Sequence, residues 1–144
     1  MDDGEPLGSG HRPGVRNLEK RAAHRCERSR DRHRNGVGVY QHHVAGAGSK
    51  QFREAVTRHW LPALEHFAPQ LVIFSAGFDA HAEDDMAMLR FVDDDYGWVT
   101  AQLKSVADRD AGGRIVSMLE GGYALSALGR SAVQHLRVLA GVNA

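Results

Sequence analysis

Two short runs, Leu71-Val72-Ile73-Phe74 and Arg114-Ile115-Val116-Ser117-Met118-Leu119, constrain this chain more than any other feature. Each is apolar at nearly every position rather than at alternate ones. That pattern does not suit a half-solvated strand; it suits a strand covered on both faces of a parallel sheet. The first run ends in Ser75-Ala76-Gly77, and the second is followed by the tight turn Glu120-Gly121-Gly122-Tyr123. Helical periods follow both: 94–108, with Tyr96, Val99, Leu103 and Val106 on one side, and 126–140, carrying Leu128, Val133, Leu136 and Leu139. Ahead of the first run, Phe52, Val56, Trp60, Leu64 and Phe67 fall three or four apart, the stripe of an amphipathic helix. Ser49 is the expected N-cap of that helix. Pro62 is expected to kink or restart it, because proline removes a backbone donor. Helix, strand, helix, strand, helix predicts an α/β fold with a parallel sheet and crossover helices. Two strands alone make a poor sheet, so an incomplete domain is expected.

Residues 1–44 have a different character. Apolar residues are isolated, and Gly, Arg and His crowd between them. Between His11 and Arg34, nine Lys or Arg stand against three acidic residues, although eighteen basic and eighteen acidic side chains cancel over the whole chain. Such a run reads as a disordered or solvated basic arm, with nucleic acid not the expected partner. Its last part, Gly36-Val37-Gly38-Val39-Tyr40, is expected at most to pair as a short edge strand. Cys26 is the only cysteine, which excludes an internal disulfide and a Cys-rich zinc module. No apolar run approaches the roughly 20 residues that span a bilayer, and no apolar segment near Met1 reads as a secretory signal. A cytoplasmic protein without a membrane partner is the expectation, and 45–144 is the folded region.

The residues suited to chemistry follow the two strands, where ligands of open parallel sheets bind. Asp79 and His81 lie two apart just after the first strand, and zinc accepts both ligand types. Asp79 is equally open to a role as a loop cap. In the second segment Gly121 and Gly122 permit a sharp turn or a close backbone approach to a ligand. Tyr123 is open to two readings: a phenol donating to a developing oxyanion, or a ring packed on the last helix.

Taken together, Ser75-Ala76-Gly77-Phe78-Asp79-Ala80-His81 and, some forty residues on, Leu119-Glu120-Gly121-Gly122-Tyr123 resemble the C-terminal motifs of the histone-deacetylase-like zinc amidohydrolases. That family includes bacterial acetoin-utilization and acetylpolyamine deacetylases. The flanks are similar too: Ala45–Ser49, Phe52–Ala55, Trp60–Leu64 and Gly112–Ser117. The resemblance covers 45–144. It implies the C-terminal part of an arginase/deacetylase-like parallel sheet with flanking helices, and hydrolysis of an acetyl-amide bond with zinc as cofactor. The implied substrate is acetyl-lysine or a small acetylated amine.

Carried over by position, Asp79 is a zinc ligand, and Tyr123 polarises the acetyl carbonyl. Phe78, Gly121 and Gly122 line the substrate channel, and His81 supports the ligand from behind. The resemblance also implies further ligands and paired general-base histidines in motifs such as Asp-x-His-His-Gly-Asn-Gly, which the chain does not contain. His42-His43 stands where the family has the strand before a helix, and is read as coincidental. The loop 83–85 lacks a proline that the family carries, a departure expected to touch none of the assigned residues. A truncated, inactive deacetylase fragment is therefore expected. The alternative is a non-catalytic interaction protein whose basic arm engages an anionic partner.

Overall fold

The structure, a computed structural model, describes residues 45–142. The expectations for 1–44, the basic arm and the 36–40 edge strand among them, lie outside the described residues. Helix α1 (Ser49–Ala55) runs through a π-helical segment (Val56–Trp60) into α2 (Leu61–Phe67). Strand β1 (Val72–Ala76), helix α3 (Asp93–Asp110), strand β2 (Ile115–Leu119) and helix α4 (Leu125–Ala140) follow. The order matches the α/β expectation, and β1 pairs with β2 in parallel, Val72 opposite Ile115 and Ala76 opposite Leu119.

Pro62 acts as expected, with a particular geometry. It stands in the first turn of α2, where a missing N–H costs nothing. The turn just before it widens to π, and the Leu61 N–H bonds the Val56 carbonyl five residues back. This slack lets one helix continue past the pyrrolidine ring. Ser49 is not the N-cap; Gly48 is, and the Gln51 side chain accepts the Gly48 N–H. The Ser49 hydroxyl instead donates to Asp95 at 2.6 Å. Fully buried Asp95 also accepts from Arg53 Nε at 3.0 Å and from the Val92 N–H at 3.1 Å. One carboxylate thus ties α1 to the start of α3, where Asp93, Asp94 and Asp95 also favour the helix dipole.

The expectation that both strand faces are buried does not hold among the described residues. Val72 packs on Ala107 of α3 and on Ala111 just after it, Phe74 joins the same cluster, and Phe74 also meets His135 of α4. Both helices therefore cover one face of the sheet. The opposite face carries Ile73, 60 % exposed, with Val116 and Met118, also exposed. Helix α4 brings a second correction. Its buried residues are Ala127, Ser131 and His135, while Val133 and Leu136 of the apolar stripe point to solvent. The face of α4 that meets α3 is chosen by small size and hydrogen bonding, because the two helices pack closely there.

Candidate functional site

Parallel pairing brings the carboxyl ends of β1 and β2 side by side, and the two loops that leave them are stitched together. The Glu120 N–H donates to the Ala76 carbonyl at 3.0 Å, and the Phe78 N–H donates to the Gly121 carbonyl at 2.9 Å. Phe78 is buried in the main apolar cluster with Phe52, Val56, Phe91 and Tyr96. The buried Tyr96 hydroxyl donates to the Phe78 carbonyl at 3.1 Å, and burial pushes its pKa well above the usual phenol value, so it remains a donor. The backbone that carries Asp79 is thus held from three directions.

Asp79 occupies a slot between two glycines. A Cβ on Gly121 would stand 3.0 Å from the Asp79 Cγ, and one on Gly77 would stand 3.3 Å from its Oδ1. A side chain at either position would crowd the carboxylate. The same imagined Gly77 Cβ lies 3.1 Å from Glu120 Oε2, so a second carboxylate approaches this point. Glu120 was not singled out from sequence, where it read only as the start of a turn. Gly122 adopts φ +129°, and a Cβ there would meet Leu128 and Phe78, both at 3.0 Å. Tyr123 follows with its ring 62 % exposed and its hydroxyl without a hydrogen bond among the described residues.

What fixes the Tyr123 backbone is Asp84 of the loop 83–85. The buried Asp84 carboxylate accepts the backbone N–H of Tyr123 at 2.7 Å, of Ala124 at 3.0 Å and of Met86 at 3.0 Å. The Tyr123 hydrogen bond, foremost, holds the Asp84 carboxyl below its ordinary range. A carboxyl lowered in the folded state stabilises it above the unfolded value, and that contribution is lost as pH falls through the folded value. The amides of Tyr123 and Ala124 should therefore stay protected from hydrogen exchange at neutral pH. They should lose protection only below the usual aspartate range, with Asp84→Asn removing the pH dependence. A midpoint at or above the ordinary aspartate value would contradict this.

His81 is buried, and its polar contacts lead away from the Tyr123 loop. Its Nδ1 accepts the Glu83 N–H at 3.1 Å, and its Nε2 lies 3.3 Å from Asp93 Oδ1. Partial burial raises the Asp93 carboxyl, but hydrogen bonds from Arg130 and Ser131 outweigh it and the net shift is downward. Arg130 also bonds Glu83, so His81, Asp93, Arg130 and Glu83 form a polar girdle under the loop. Among the described residues, no three His, Cys, Asp or Glu side chains gather where they could hold a metal ion. A catalytic zinc needs three protein ligands, so the described residues, Asp79 included, do not make one. Among them, too, no helix is long and apolar enough to cross a membrane.

The chain matches the histone deacetylase domain over residues 20–139, which reaches 25 residues upstream of the 45 at which the motifs begin to be legible. It is 42 % identical over 80 residues to the histone deacetylase-like amidohydrolase of Pseudomonas aeruginosa, spanning 56 % of this chain and 21 % of that protein. It is 45 % identical over 76 residues to type-2 histone deacetylase 1 of Dictyostelium discoideum, spanning 53 % of this chain and 5 % of that one. The crystal structure of the HDA15 HD domain superposes with a TM-score of 0.63 at 33 % identity, covering 69 % of this chain and 27 % of that structure. The chain thus spans about a fifth or less of the curated relatives named here, and the fold is part of such a domain.

Proposed function

This chain belongs to the histone deacetylase domain family, and on that premise we propose that it carries the C-terminal site loops of a zinc-dependent deacetylase. The family is generally zinc dependent. Its reaction here is removal of acetyl from acetyl-lysine or a small acetylated amine. Asp79 is the ligand this segment contributes, and Tyr123 is the donor to the acetyl carbonyl. Phe78, Gly121 and Gly122 shape the approach to them. The observation that supports this reading most is the stitching of the Asp79 and Tyr123 loops at the carboxyl ends of paired parallel strands.

Residues 45–142 hold only one of the ligands such a reaction needs, and nothing among them takes a proton from water beside Asp79. With no Asp-x-His-His-Gly-Asn-Gly motif upstream in the sequence either, the 144-residue chain is expected to bind no zinc tightly and stoichiometrically in a calorimetric titration. It should release no acetate from an acetyl-lysine peptide when zinc is added. Cleavage that is lost with a chelator and regained with zinc would overturn this. It would place ligands in 1–44, where Asp31, His33, His42 and His43 are the candidates. A second reading, a non-catalytic interaction protein that retains part of the fold, draws support from the bare apolar face of Ile73, Val116 and Met118. Zinc binding by the intact chain would argue against it.

A further inference from the structure

On the helix-covered face of the sheet, away from Asp79 and Tyr123, three polar side chains form a chain of hydrogen bonds. His135 of α4 is 6 % exposed and lies against the rings of Phe74 and Phe78. Thr100 of α3 gives its single hydroxyl proton to the Tyr96 carbonyl, 2.6 Å away. At 2.7 Å from His135 Nδ1, the Thr100 oxygen can then only accept, so Nδ1 carries the hydrogen. Burial lowers the His135 pKa and favours the neutral ring. Nε2 is left with a lone pair, and the Ser117 hydroxyl of β2, 2.8 Å away, donates to it.

The surroundings suit reactivity rather than mere core packing. Ser117 is exposed while its histidine is shielded. The Val72 N–H bonds the Arg114 carbonyl and the Glu120 N–H bonds the Ala76 carbonyl. In a parallel ladder this turns the backbone groups of Arg114, Val116, Met118 and Glu120 towards β1. The Ser117 N–H therefore faces the outer edge of β2, where no strand pairs with it among the described residues. An N–H on the same residue as the hydroxyl can meet an oxyanion. Next to the histidine lies an apolar cavity of about 260 Å³, with Phe74, Phe78, Leu103, Thr100 and His135 in its wall.

We propose that Ser117 is a nucleophile, with His135 as its base, that takes an acyl group from a carboxylic ester bearing a compact apolar acyl part. A hydroxyl on an exposed residue, a base within hydrogen-bond reach and a third group orienting the base are the parts such a step needs. The Ser117 oxygen attacks the ester carbonyl carbon, and its proton passes to His135 Nε2. The new Ser117 oxygen–carbon bond forms as the carbon–oxygen bond to the leaving alcohol breaks. The proton then passes from His135 to the departing oxygen. The products are acyl-Ser117 and a free alcohol. Of the residues in the deacetylase reading only Phe78 lies nearby, as part of the cavity wall, and neither Asp79 nor Tyr123 takes part, so either reading can fail without the other.

The test is p-nitrophenyl butyrate added to the full 144-residue chain. A burst of about one equivalent of p-nitrophenolate is expected, with butyrate found by mass spectrometry on the Ser117 peptide. Ser117→Ala, a change at an exposed position, should abolish the burst while the circular dichroism stays unchanged. His135→Gln should slow acylation by about a hundred- to ten-thousand-fold. Thr100 acts through His135 as a positioning residue: Thr100→Val should slow acylation, and Thr100→Ser should restore it. No burst, a burst that survives Ser117→Ala, or label found on Tyr123 or lysines instead overturns the proposal.

Discussion

Replacing Asp79 with Ala in a chimaera is expected to abolish zinc binding, whereas Tyr123→Phe should leave zinc bound and lower kcat by about a hundred- to a thousand-fold. In that chimaera, residues 45–142 replace the matching segment of the Pseudomonas aeruginosa amidohydrolase, so the rest of a deacetylase domain surrounds them. The two variants separate the two proposed roles. The Asp79 carboxylate lies against both Gly77 and Gly121. Glu120 approaches the same point from the next loop, yet it lies on the Gly77 side and does not take the place between the glycines. The Tyr123 hydroxyl makes no such contact among the described residues. Its ring is exposed, and its position comes from backbone hydrogen bonds to Asp84, so losing the hydroxyl costs no packing. A Tyr123→Phe chimaera with unchanged kcat, or an Asp79→Ala chimaera that keeps its zinc, would refute the roles assigned. Metal content by mass spectrometry and acetate release read the two outcomes independently.

The Gly122→Ala chain is expected to be destabilised by about 2–5 kcal/mol, which is enough to unfold a marginal domain. Two costs add. At φ +129° an L-residue is strained, of order 1–3 kcal/mol. A methyl group there would also meet Leu128 Cδ1 and Phe78 Cβ at 3.0 Å, and Phe78 sits in the main apolar cluster and cannot give way. Gly129 of α4 is the control. No atom lies within 4 Å of a Cβ there, so Gly129→Ala should stabilise the helix by about 1 kcal/mol. Urea denaturation followed by circular dichroism should move the two midpoints in opposite directions. Midpoints that move together would show that the turn after β2 is not under the constraint described.

The order of elements and the parallel pairing were legible because both depend on local pattern. Runs without alternation, closed by small residues and joined by helical periods, have few other ways to fold. The placement of Asp79, Gly121, Gly122 and Tyr123 just past the two strands was legible for a related reason, since strand ends and glycine turns are marked in the chain itself. Which surfaces meet was not legible. The stripe of Val133 and Leu136 promised an inward face for α4, but Ala127, Ser131 and His135 fit against α3, and the larger residues turn outward. The double-faced strands promised burial, yet Ile73 and Met118 stay exposed because both helices lie on one side. Nothing in the sequence joined Asp84 to the Tyr123 amide, 39 residues away. The bond from Ser117 to His135 likewise joins a strand to a helix that no spacing rule connects. Period and turn chemistry act between neighbours along the chain, and so the sequence by itself determines the elements. Hydrogen bonds and close packing between elements depend on distances through space, and only the tertiary structure decides those.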